Sequence, residues 1–112
     1  MAKFQALELA LELARSLGAL LPQIQQHDRD LASQLRRAGA SAPSCLSEGA
    51  QRQGRDRLQL YRTAAGSAAE VRTQLQLAVA WSYLERHAAI DALALADRVV
   101  AVTWRLVHPR RT

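Results

Sequence analysis

Leu31-Ala32-Ser33-Gln34-Leu35-Arg36-Arg37-Ala38-Gly39-Ala40-Ser41-Ala42-Pro43-Ser44-Cys45-Leu46-Ser47-Glu48-Gly49 decides the fold of this chain. Leu31, Leu35, Ala38, Ala42, Cys45 and Gly49 recur in it at alternating steps of four and three, which places them on one face of a helix. The stripe passes straight through Pro43. Proline removes a backbone donor and disfavours helix at the residue before it. The periodicity therefore predicts a helix that continues, kinked, at Pro43. The alternative is two short helices broken between Gly39 and Ser44, and the unbroken stripe favours the kink.

Upstream, Asp28 and Asp30 stand where a helix N-terminus wants acceptors and negative charge. Before them a first helix is expected from about Ala2 to Leu21, stopped by Pro22. It carries two apolar rows, one with Phe4, Leu7, Leu11, Ala14 and Leu21, the other with Leu9, Leu13, Leu17 and Leu20. That is more apolar surface than one bundle core needs, so part of it should face another subunit.

Downstream, Gln53-Gly54 is the strongest turn signal. A third helix is expected from about Asp56 to Leu84. Its run Ala64-Ala65-Gly66-Ser67-Ala68-Ala69 has so little bulk that a neighbouring helix can approach closely. A short connection near Glu85-Arg86-His87 leads to a last helix, about Ala88 to Val107, with Asp91, Arg98 and Arg105 as its solvent stripe. Pro109 ends it, and residues 109–112 form a basic tail. The pattern predicts an all-α, up-down antiparallel four-helix bundle in a single domain over residues 1–112.

Small polar residues stand at helical spacings inside this apolar frame. Ser44 and Glu48 are four apart, and Ser67, Glu70 and Gln74 share one face of the third helix. The five are expected to form a structural polar network that fixes helix register, with Arg36, Arg37 or Arg72 as further donors. Catalysis is not expected, although Glu48 and Glu70 are carboxylates. No Glu stands three residues before His27, His87 or His108, as a di-iron bundle would require, so no metal and no cofactor are expected. Cys45 lies on the apolar stripe and reads as a structural thiol.

The 112 residues carry a net charge of +5, and 14 of the 15 basic residues are Arg. Residues 36–72 sum to +4 and residues 98–112 to +4, while 73–97 sum to −2. Arg52, Arg55, Arg57 and Arg62 crowd the turn between the second and third helices, offset only by Asp56. Guanidinium groups pair bidentately with phosphate, so these four are the candidate contacts to RNA or DNA. No run resembles a signal peptide or membrane span, so a cytoplasmic protein is expected.

The chain resembles the four-helix bundle proteins encoded in intervening sequences of bacterial 23S ribosomal RNA genes. The resemblance rests on Gln34-Leu35-Arg36-Arg37-Ala38, Pro43-Ser44 with Glu48-Gly49, Gly66-Ser67 with Glu70, and Thr73-Gln74-Leu75. It implies an up-down bundle assembling into a homopentameric ring. A related branch serves diversity-generating retroelements, binding nucleic acid through a basic surface. The chain departs from the family pattern at Cys45, where Asn is usual, at Ser47, where Ala is usual, and at Ala50-Gln51-Arg52 and Arg72. Two functions follow as expectations, a non-enzymatic nucleic-acid-binding accessory protein or a protein-interaction scaffold with no nucleic-acid role.

Overall fold

The computed structural model describes residues 4–109, and all regular structure among them is helical. Four α-helices follow in order, α1 (Gln5–His27), α2 (Arg29–Ala50), α3 (Gly54–Ala80) and α4 (Arg86–Val107). Each packs on the next, and α1 packs on α4, which closes the set around one core. The basic tail at residues 110–112 lies outside the described residues, as does the expected start of α1 at Ala2.

Asp28 alone separates α1 from α2. Its extended backbone lets its carboxylate accept from the Leu31 N–H at 2.9 Å, satisfying a donor that the first turn of α2 leaves free. Its other oxygen accepts from the Tyr83 hydroxyl at 3.2 Å, which ties this corner to the α3–α4 connection. At the next corner Gly54 takes φ +61°, the left-handed conformation that glycine adopts without strain. The Arg57 guanidinium there donates to the carbonyls of Gly49 and Ala50, both at 3.1 Å. It thereby satisfies acceptors that the end of α2 leaves open.

Four boundaries differ from the sequence expectation, the first being the start of α3, at Gly54 rather than about Asp56. Pro22 does not stop α1, which runs on to His27. The cost of its missing N–H is met because Ile24, fully buried, anchors the following turn in the core while Pro22 itself stays at the surface. α3 ends at Ala80 rather than Leu84, because the backbone turns left-handed at Ser82 (φ 61°) and the amides of Tyr83 and Leu84 fold back onto the Ala78 carbonyl. α4 consequently begins at Arg86, two residues before its expected start. α2 runs unbroken through Pro43, so the two-helix alternative does not occur.

Leu13, Leu17, Ile24, Leu35, Leu46, Val71, Leu75 and Val99 fill the core. Between them stand buried alanines, among them Ala10, Ala42, Ala64, Ala68, Ala92 and Ala96, whose small side chains let the helix backbones approach. Two glycines of α2 stand at such approaches: a Cβ at Gly39 would meet Leu17 Cδ1 at 2.7 Å, and one at Gly49 would meet the Tyr61 ring at 2.8 Å. The Leu9, Leu13 and Leu17 row of α1 faces this core. Leu11, from its other apolar row, is 49% exposed.

Candidate nucleic-acid interface

The four arginines at the α2–α3 turn do not share one role in the folded chain. Arg57 is committed to the backbone of α2, as described above. Arg52 pairs with Glu48 at 3.0 Å and approaches Asp56 at 4.0 Å. Arg55 and Arg62, both exposed, have no ion-pair partner among the described residues. The two guanidiniums free to meet an incoming phosphate are therefore Arg55 and Arg62.

This turn lies at the same end of the molecule as the start of α1 and the end of α4. The Phe4 ring stands 6.0 Å from the Tyr61 ring of α3. Phe4, Gln5 and Ala6 line one groove with Val102, Arg105 and Leu106. Arg105 and His108, both exposed, thus join Arg55 and Arg62 at one end of the bundle. The sequence shows two separate basic segments, and folding brings them to the same end.

Between α2 and α3 the polar residues divide. The Ser67 hydroxyl donates to Ser41 Oγ at 2.9 Å. The Gln74 amide donates to Gln34 Oε1 at 3.3 Å and to Glu70 Oε2 at 3.1 Å, and Gln34 in turn donates to Asp30 at 2.9 Å. Gln74 is 5% exposed and its Oε1 is buried without a hydrogen-bond partner. Ser44 and Glu48 stand apart from this chain of bonds, exposed on the outer side of α2, with Glu48 turned to Arg52. Ser41 and Gln34 are the members that spacing alone did not single out. Ser41 is half-buried at the contact with α3, where the Ser67 hydroxyl reaches it. Cys45 is half-buried with Sγ 3.8 Å from Ser41 Oγ. Arg72 reaches Asp97 of α4 at 3.5 Å, while Arg36 and Arg37 are exposed. Among the described residues no three His, Cys, Asp or Glu side chains converge, and His27, His87 and His108 are all exposed.

The profile of the 23S rRNA-intervening sequence protein family matches residues 2–104. The chain belongs to that family. A crystal structure of a protein with unknown function from the S23 ribosomal protein family, from Bacteroides thetaiotaomicron, superposes with a TM-score of 0.84 at 20% sequence identity. The match covers 91% of this chain and 97% of that one, so the family's fold accounts for almost the whole molecule. No curated protein matches the chain. No helix among the described residues is long and apolar enough to cross a membrane.

Proposed function

We propose that this family member is a non-enzymatic, cytoplasmic, up-down bundle that assembles into a homopentameric ring and binds RNA or DNA through one end of its subunits. The observation that carries the nucleic-acid reading is that Arg55 and Arg62 stand exposed at one end of the bundle, unpaired among the described residues. Rotation about a ring axis parallel to the helices points that end of every subunit to the same side. Weak single contacts then add as avidity. Membership of a family described as 23S rRNA-intervening sequence proteins supports a setting in which RNA is near.

Dimensions support the up-down order. Helices of 22 to 27 residues are roughly 33 to 40 Å long at about 1.5 Å per residue. That exceeds the 24 and 23 Å widths of the molecule, so they lie along its 44 Å length. Connections of one, three and five residues leave no chain to cross back, so consecutive helices reverse direction. Pro43, lacking the donor to the Gly39 carbonyl, is where α2 bends. The bonds joining Ser41, Ser67, Gln34, Glu70 and Gln74 fix the register of α2 against α3.

Light scattering coupled to gel filtration tests the assembly, with a mass of five times the 12.3 kDa chain expected. Retention of mixed-sequence single-stranded RNA or DNA at low ionic strength tests recognition. An assembled protein that retains neither is a protein-interaction scaffold.

A further inference from the structure

Two apolar surfaces remain uncovered, and they lie on opposite sides of the bundle. One is a stripe along α4 in which Ile90, Ala94, Asp97, Ala101, Trp104 and His108 repeat at steps of four and three, all exposed. Ile90 and Trp104 expose 54% and 56% of their surface. The Trp104 indole lies stacked on the His108 ring, 4.2 Å between centroids, over a hollow of about 660 Å³ that also involves Val100, Ala101 and Arg105. Asp97, within the same stripe, pairs with Arg72 of α3, so the stripe faces the α3 side of α4. The other surface is a groove of about 600 Å³ between α1 and α2, where Leu7 and Leu11 meet Pro43, Ser44 and Glu48. Because the helices pack in the cyclic order α1, α2, α3, α4, the α1–α2 face and the α3–α4 face are opposite.

We infer that these two faces are the two halves of one subunit contact, with the Trp104 edge of α4 seated in the α1–α2 groove of the next copy and that copy's Leu11 in the hollow beside Trp104. The inference rests on the ring reading above and names its contact.

Three observations select a second copy as the occupant. The surfaces differ, so their pairing is head-to-tail, the kind that closes a ring when the rotation fits. They are also level. Gln5 of α1 adjoins Arg105 of α4, and counting along two antiparallel helices from there sets Leu7 to Leu11 beside about residues 99 to 103. A contact between surfaces at one height adds rotation without rise, as a closed ring needs and a helical filament does not. Finally, the charges are complementary. Glu8 and Glu12 flank Leu11, both exposed, whereas Arg105 adjoins Trp104 and Arg98 lies one turn from Ala101. An exposed Trp in an apolar hollow is the residue type that dominates subunit contacts.

Cysteines placed at both faces test the contact. In a Cys45→Ser background, Leu11→Cys with Ala101→Cys is treated with a short bismaleimide and run on a denaturing gel. The double variant should give a ladder rising to the full ring, and each single variant should remain monomeric. Dimers from a single variant would mean that like faces meet, which overturns the head-to-tail pairing. Absence of a ladder, while light scattering of the native chain gives an oligomer, moves the interface elsewhere and leaves the ring intact. A monomeric native chain overturns both. Trp104→Glu supplies a readout without cross-linking. It should lower the native mass to that of one chain with the helical circular dichroism unchanged, and an unchanged mass counts against Trp104 in the contact.

Discussion

Gly49 and Gly66 are both glycines inside helices, and the structure assigns them opposite consequences. A methyl group at Gly49 would stand 2.8 Å from the Tyr61 ring and 3.2 Å from Leu60 Cβ, whereas at Gly66 it would meet nothing within 4 Å. Gly66→Ala should raise stability by about 0.5–1 kcal/mol through helix propensity and reduced freedom of the unfolded chain. Gly49→Ala should lower it by about 1–3 kcal/mol, because the packed α2–α3 contact must open. Urea denaturation followed by circular dichroism reads both, and equal shifts would contradict the packing described. The low bulk around Gly66 was legible in the sequence, yet the close approach there belongs to the buried Ala64, Ser67 and Ala68. At the first corner, Asp28→Ala removes both the helix cap and the Tyr83 contact, and should cost about 1–2 kcal/mol. The Tyr83 hydroxyl is held above its ordinary value of 10.0, by burial first and then by the hydrogen bond and charge of Asp28. Its contribution is thus complete below pH 10 and is lost as the pH rises through the higher folded value. Tyr83→Phe should remove that part of the alkaline loss, which denaturation at two alkaline pH values checks.

Among the elements, α1 shows where local signals were overruled. Pro22 read as a stop, and a proline inside a helix does cost about 3 kcal/mol. Burial of Leu21 and Ile24 on either side of it holds the last turn in place. Pro22→Ala should therefore raise the denaturation midpoint, by about 1–3 kcal/mol in stability, since the exposed ring contributes nothing to the core. A lower midpoint would mean that the proline shapes the α1–α2 corner. α2 was legible from its stripe alone, since six residues at steps of four and three outweigh one missing donor. The Asp28 cap and the Gly54 turn were legible too, because each rests on chemistry within three or four residues. The end of α3 was not, because its left-handed turn is made by Ser82, which carries no turn signature.

At the scale of the molecule, membership of the 23S rRNA-intervening sequence family and the superposition at a TM-score of 0.84 account for the fold. The candidate site was legible only as a list of arginines. Spacing could not tell that Arg57 is spent on the Gly49 and Ala50 carbonyls or that Arg105 comes to the same end, because both depend on how distant segments pack. The central claim, that this end meets nucleic acid by charge, is tested most directly by titrating labelled mixed-sequence single-stranded RNA against the native chain and Arg55→Gln/Arg62→Gln over a salt series. Affinity should fall linearly with salt on logarithmic axes, at roughly 0.7 per phosphate contacted, and the double variant should bind more weakly with a shallower slope. No binding at the lowest salt, or a slope that the double variant leaves unchanged, would contradict the account.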